Sequence, residues 1–223
     1  MCGRYANHVG AMHGWTDILS DWPTGVQLGF NISPTTLIPS FTRDGGQAMR
    51  WGLIPNWTKE IDASYSTFNA RLKTVAEKPS FRHAWKMHQR CLIPALGYYE
   101  WRSEGGGKQP YFVCRNDQQP IVFGGMFEPA RDNFPASCTI LTRPAEGQLA
   151  DLHHAMPVMF EPQHAEPWMQ GDHQQALQLA WRNYADEFQY YPVSREVNKA
   201  SNEGPQLIEP LTPEAEPQQG FGF

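Results

Sequence analysis

The sequence predicts a single mixed α+β domain with peripheral helices. Three observations carry this. Short runs rich in Val, Ile, Tyr and Phe crowd the centre, residues 91–141, where β-branched and aromatic side chains favour strands. Helical spacing of apolar residues is confined to the flanks. No Pro/Gly/Ser-rich linker divides the centre, and 223 residues with 40% hydrophobic content suffice for one substantial core.

Met12 to Trp22 reads as a short helix stopped by Pro23. Val26 to Leu53 reads as strands broken at Ser33-Pro34, at Pro39 and at the turn Asp44-Gly45-Gly46. Thr67 to Glu77 has moderate helical character, and Pro79 opens a helix of about three turns, Phe81 to Gln89. Strands follow at Cys91–Arg102, Tyr111–Arg115, Ile121–Phe127 and Ser137–Thr142, with Gly105-Gly106-Gly107 as a flexible hairpin tip. After Pro144 the pattern gives a short helix, a strand at Met156–Phe160, helices at Pro162–Met169 and His173–Tyr184, and a closing strand at Phe188–Val193. From Ser201 the chain carries four prolines, four acids and no base. Beyond about Leu211 disorder is therefore expected, which divides the chain into a domain over 1–210 and an acidic tail over 211–223.

Composition removes several functional classes. No uncharged apolar stretch reaches the roughly 20 residues that span a bilayer. No apolar run follows Arg4 to make Met1–Gly10 a signal peptide, so a cytoplasmic protein is expected. Cys2, Cys91, Cys114 and Cys138 are widely spaced without a Cys-x-x-Cys pair, so neither zinc nor a disulfide framework is implied. The Gly run lacks a following Lys-Ser/Thr, which excludes a phosphate loop. No cofactor and no metal are expected. Charge is uneven: residues 1–115 hold 13 basic and 8 acidic side chains, a net of +5, whereas residues 116–223 hold 5 and 15, a net of −10. That asymmetry is compatible with a basic face for phosphates.

Several residues could carry chemistry. Removal of Met1 would leave Cys2 with an α-amine and a thiol together, a 1,2-aminothiol able to condense with an aldehyde into a thiazolidine. Both groups have ordinary pKa values near neutrality, about 8 and about 8.5. Asn69-Ala70-Arg71 joins an amide that can orient an amine to a guanidinium that can clamp phosphate, although by itself the triplet reads more plainly as a polar turn entering a helix. Glu100 lies in the aromatic strand Gly97-Tyr98-Tyr99-Glu100-Trp101, where burial would suit it to proton transfer; an exposed strand face is the plain alternative. His153 or His154 can serve as acid or base, and no third ligand makes the pair a metal site. Lys78, Arg82, Lys86 and Arg90 fall every four residues on one helical face, a phosphate platform or an ordinary solvated stripe. Phe81 and Trp85 on the adjacent stripe would anchor that helix to the core. Trp57, in the loop Trp51-Gly52-Leu53-Ile54-Pro55-Asn56-Trp57, could meet an unstacked base or join the core.

The order of these segments is what is specific. Met1-Cys2-Gly3-Arg4-Tyr5, Asn31-Ile32-Ser33-Pro34, Trp51 through Pro55, Asn69-Ala70-Arg71, Gly97 through Trp101, His153 through Pro157 and Pro192-Val193-Ser194-Arg195 together resemble the SOS-response-associated peptidase (SRAP) family, from residue 1 to about Pro210. The resemblance implies a strongly curved, mainly antiparallel, barrel-like β core with a positive groove. It implies a protein that shields abasic sites in single-stranded DNA by a covalent thiazolidine crosslink through Cys2. Asn69 would then position the α-amine, Glu100 move its proton, and His153 act on the sugar and in crosslink release. Arg4 and Arg71 would grip phosphates, with Asn31, Pro34, Trp57, Lys78, Arg82 and Lys86 completing the DNA face. A DNA-associated monomer is implied; replication-fork proteins are compatible partners that the residues do not specify. The family commonly has Arg where this chain has Ala155, and a second Trp where it has Thr58.

Two other readings remain open on the sequence. A terminal-nucleophile cysteine peptidase or amidohydrolase would turn over substrates in trans. A non-covalent reader of modified or single-stranded DNA would bind reversibly without needing Cys2.

Overall fold

The computed structural model describes residues 2–8, 12, 15, 17–19, 21–61, 66–182 and 185–211. In chain order the strands are β1 (Tyr5–Asn7), β2 (Gly29–Ile32), β3 (Leu37–Thr42), β4 (Gly45–Trp51), β5 (Asn69–Arg71), β6 (Arg90–Ala95), β7 (Gly97–Glu104), β8 (Gly107–Arg115), β9 (Ile121–Glu128), β10 (Ser137–Pro144), β11 (Ala155–Pro157), β12 (Met159–Phe160) and β13 (Phe188–Pro192). The helices are short: α1 (Arg82–Lys86), α2 (Leu149–Leu152), α3 (Ala165–Gln170) and α4 (His173–Ala180).

Two sheets build the domain. One runs β13-β8-β7-β1-β2. In the other, β4 pairs with β3, β3 with β6, β6 with β9 and β9 with β10, all antiparallel. Strand β10 then pairs parallel with β4 through Ser137↔Arg50 and Cys138↔Trp51, so the circuit closes. Closure removes the free edges that an open sheet must otherwise protect. It also confirms the strongly curved, mainly antiparallel core expected of the sequence. Tyr5 from β1 plugs the interior, its ring edge-on to Trp51 at 5.3 Å and to Phe123 at 5.9 Å. Helices α3 and α4 cover the outside of the closed sheet, where the Trp168 indole donates to the Cys91 carbonyl at 3.0 Å. A capping box fixes the start of α4: the Asp172 carboxylate accepts from the Gln175 N–H while the Gln175 side chain accepts from the Asp172 N–H.

Several boundaries differ from expectation for identifiable reasons. Thr67–Glu77 is not helical; strand β5 runs parallel to β10 through Ile140↔Asn69 and Thr142↔Arg71, and one 3-10 turn, Leu72–Thr74, follows. Helix α1 is five residues rather than three turns, and the chain leaves it through His88 at φ 56°, a left-handed conformation that cannot continue an α-helix. Arg90 therefore starts β6 instead of ending a basic helical face. Pro39 does not break β3. It pairs with Ala48, and β6 meets β3 only at Phe41↔Leu92, so no neighbour on that side is denied an N–H at Pro39. The expected strand Cys91–Arg102 is two strands, because the chain changes sheets at Leu96 between β6 and β7. Met156–Phe160 likewise splits into β11 and β12. The expected helix Met12–Trp22 lies partly outside the described residues; within it the Leu19 N–H reaches the Trp15 carbonyl at 2.8 Å. The end of the expected helix at Tyr184, the acidic tail beyond residue 211, and Met1 lie outside the described residues.

Candidate functional site

Strand β1 seats the amino-terminal segment within the first sheet, between β7 and β2, through Tyr5↔Tyr98 and Tyr5↔Ile32. Cys2 just ahead of it is fully buried. The Asn69 side-chain N–H donates to the Cys2 carbonyl at 2.7 Å, which ties β5 to the start of the chain. The other end of that amide, Oδ1, is buried and accepts no hydrogen bond among the described residues, leaving an acceptor unspent beside Cys2. Burial raises the Cys2 thiol pKa, and the nearby Glu100 carboxylate raises it further, so the thiol rests protonated.

Glu100 sits on β7 opposite Tyr111, 4% exposed. Burial lifts its pKa above the ordinary carboxylate range, with the His153 charge among the opposing influences. His153 follows α2 in an extended conformation, φ −154° and ψ 148°, which turns it out of the helix. Its Nδ1 lies 3.8 Å from Glu100 Oε1, 2.9 Å from the Ala155 carbonyl and 3.1 Å from the Ala155 N–H. One nitrogen cannot both donate and accept. Neutral imidazole protonated on Nε2 accepts from Ala155 N–H; imidazolium donates to the Ala155 carbonyl, with the Glu100 carboxylate at ion-pair rather than hydrogen-bond distance. The same atom is thus served in both protonation states, which suits a proton carrier.

Glu100 and His153 line a cleft of about 560 Å³ with Phe68, Trp101, Lys108 and Asn198. Lys108 and Asn198 escaped sequence reasoning. Lys108 is the second residue of β8, just after the Gly tip, a position whose charge could have drawn notice. Asn198, which accepts from the Trp101 indole N–H at 2.7 Å, lies three residues beyond the last recognisable motif and gave no signal.

The remaining candidates divide into those spent on structure and those facing solvent. Arg4 donates to Asn31 Oδ1 at 2.6 Å and to the Val197 carbonyl at 2.9 Å. Asn31 in turn donates to the carbonyls of Lys199 and Asn202 at 3.0 and 2.8 Å, so the pair staples β2 to the 195–203 segment. Arg71, Lys78, Arg82 and Lys86 are exposed. Arg90 is the exception within the basic series: it is 1% exposed, donates to the carbonyls of Trp168 and Gly171, and lies 5.6 Å from the Trp168 ring centroid. Trp85 is buried and Phe81 packs against the same core, as their stripe predicts. Pro34 and Trp57 line a second cavity, with Trp57 54% exposed and its indole N–H on the Pro79 carbonyl at 3.1 Å. Among the described residues no cluster of three or more His, Cys, Asp or Glu could hold a metal, and no helix is long and apolar enough to cross a membrane.

Fold and site together define a class: a closed β domain in which buried Cys2 is held by an amide and lies near a carboxyl that shares a cleft with an imidazole. The chain belongs to the SOS response associated peptidase (SRAP) family, whose model matches residues 1–200. It is 33% identical over 231 residues to the abasic site processing protein YedK of Escherichia coli, covering 95% of this chain and 100% of that one. It is 31% identical to YoaM of Bacillus subtilis, also named an abasic site processing protein, covering 94% and 98%. A yeast relative of the same description, YMR114C, is 34% identical over 200 residues; the match takes in 84% of this chain but only about half, 54%, of the yeast protein. The fold is shared with crystal structures of proteins from Bacteroides thetaiotaomicron (TM-score 0.77, 22% identity, 95% and 99% coverage) and Bordetella bronchiseptica (TM-score 0.76, 22% identity, 86% and 100% coverage).

Proposed function

We propose that the chain processes abasic sites in single-stranded DNA by capturing the ring-opened sugar aldehyde on Cys2. The observation that carries this reading is that buried Cys2 is held by Asn69 and feels the charge of Glu100, which itself lines a cleft with His153. The names borne by the relatives support the choice of substrate.

The chemistry begins with hydrolysis of the Met1–Cys2 amide, which frees the α-amine. That amine adds to the sugar aldehyde carbon, and loss of water gives an imine. The thiol then adds across the C=N bond: sulfur bonds to carbon, the thiol proton passes to nitrogen, and a thiazolidine ring closes. Because the thiol rests protonated in a buried site, the amine attacks first and sulfur second. Asn69 Oδ1 is the acceptor that orients the amine. Glu100, with its raised pKa, takes the amine proton and returns it to the departing hydroxyl. His153 exchanges a proton with the sugar oxygen during ring opening and crosslink release.

Exposed Arg71, Lys78, Arg82 and Lys86, with Pro34 and Trp57, form the DNA face; Arg4 contributes through the Asn31 staple that shapes β2. The partner is single-stranded DNA containing the lesion, bound by a DNA-associated monomer in the cytoplasm. A peptidase turning over in trans fits less well, since a thiol with a raised pKa is a poor resting nucleophile for amide bonds.

The test is a denaturing gel of protein mixed with an abasic single-stranded oligonucleotide. Wild type should give a covalent band, and Cys2→Ala none. Glu100→Gln and His153→Ala should slow the band's appearance by about 10²-fold, the scale of losing an acid/base group. A Cys2→Ala protein that crosslinks as well as wild type would sink the mechanism.

A further inference from the structure

We propose that the cavity beside the reaction cleft receives the nucleobase next to the lesion and that Arg50 makes it select guanine. This rests on the reading above and adds a sequence preference to it. The cavity measures about 230 Å³. That is below the roughly 300–1,000 Å³ typical of sites for drug-sized ligands and suits a single planar ring system. Phe68 lines both this cavity and the cleft holding Glu100 and His153, so the two occupants are neighbours separated by one side chain. Trp57, 54% exposed, offers a stacking face in the same wall.

Two backbone features mark the cavity as built. Thr35, a β-branched residue in its lining, holds φ at 77°, a left-handed conformation that costs free energy. It is kept there by its N–H on the Trp51 carbonyl at 2.7 Å. Gly52 has φ 133°, and a Cβ there would stand 2.6 Å from Arg50 Nη1. The missing side chain lets Arg50 fold back and donate to the Gly52 carbonyl at 2.6 Å, which fixes the guanidinium in the cavity wall. Its remaining N–H groups make no hydrogen bond among the described residues.

A guanidinium with a free donor pair matches the O6 and N7 acceptors of guanine. Adenine sets an amino group against it, and thymine and cytosine offer no such acceptor pair. Glu60 lines the same cavity. Its carboxylate can accept from the N1–H and amino group of guanine and repels a phosphate, so the occupant is the base rather than the backbone.

Crosslinking rates measured with abasic oligonucleotides carrying each of the four bases on either side of the lesion test this. Wild type should favour guanine on one side by about tenfold, the scale of one bidentate contact. Arg50→Lys, which keeps the charge but loses the fork, and Glu60→Gln, at an exposed position, should each reduce that preference to about twofold or less. Fluorescence titration with undamaged oligonucleotides containing one guanine reads the pocket without the chemistry. Equal rates and equal affinities for all four bases in wild type, or a preference that survives Arg50→Lys, would overturn the inference. Guanine-dependent binding without any covalent band would uphold the pocket and instead defeat the crosslinking reading.

Discussion

Asn69 holds Cys2 by its backbone, not by its sulfur: the side-chain N–H donates to the Cys2 carbonyl at 2.7 Å, while the thiol points 3.9 Å from the Arg4 carbonyl. The amide thus sets where the chain begins relative to the closed sheet. Asn69→Ala leaves a buried carbonyl without its donor, which costs about 1–3 kcal/mol. Asn69→Asp turns an acceptor toward that carbonyl at neutral pH and should be at least as harmful. Chemical denaturation checks both, and an Asp variant as stable as wild type would show that this bond carries no weight.

Glu100 links stability to pH with a definite sign. Its pKa is raised by burial, so between the unfolded and folded values the folded chain keeps a proton that the unfolded chain has released. Stability therefore falls as pH rises through that interval and remains lowered above it. Glu100→Gln removes the penalty. The variant should melt above wild type at about pH 7, with the gap closing at about pH 3, below the ordinary carboxylate value. Glu128, also raised by burial and paired with His83 at 2.9 Å, titrates in both proteins, so it is the difference between the two melting curves that isolates Glu100. A variant that melts higher yet crosslinks more slowly would be the expected exchange of stability for activity.

The basic series predicts two opposite phenotypes from one sequence spacing. Arg82 and Lys86 are exposed, so Ala at either should change stability by no more than about 0.5 kcal/mol. Each should lower the slope of log affinity against log salt by about 0.7 for single-stranded DNA if it meets one phosphate. Arg90→Ala strips donors from the buried Trp168 carbonyl and the part-buried Gly171 carbonyl and the cation from the Trp168 face, and should cost about 1–3 kcal/mol for each carbonyl left without a donor. Salt titration and denaturation of the three variants separate the roles.

The distinction between exposed Lys86 and buried Arg90 was beyond the reach of spacing alone, because the four-residue period assumed a helix that His88 ends. Glu100 and His153 were legible: a carboxyl inside an aromatic strand and a histidine beside a helix end are chemically out of place, and both reach the cleft. Asn69 was legible as a residue but not as a strand, since β5 exists only because β10 offers it an edge. The alternation of β-rich segments predicted the sheet, whereas its closure depends on the parallel pairing of Ser137 with Arg50, 87 positions apart, which no local pattern encodes. Asn198 and Lys108 entered the cleft through tertiary packing in the same way.

Gly97 is where the chain crosses from the closed sheet to the one that seats β1, and it pairs with Ala6. A Cβ there would stand 2.4 Å from the Val113 carbonyl oxygen and 2.5 Å from Phe112 Cζ. The first of these is backbone within the β7–β8 ladder, where Tyr98 faces Val113, so it cannot swing aside as a flexible side chain would. Gly97→Ala must therefore push β7 away from β8 or from β1, at a cost of about 1–3 kcal/mol for overpacking. Because Glu100 lies three residues along the same strand, the displacement should also disturb its approach to His153. Gly105→Ala, at a hairpin tip where an added Cβ meets nothing within 4 Å, is the matched control. Denaturation and crosslinking of the pair should show Gly97→Ala losing both stability and rate while Gly105→Ala keeps both. Equal behaviour would mean that the strand junction tolerates the methyl and that β7 is not held as tightly as its contacts imply.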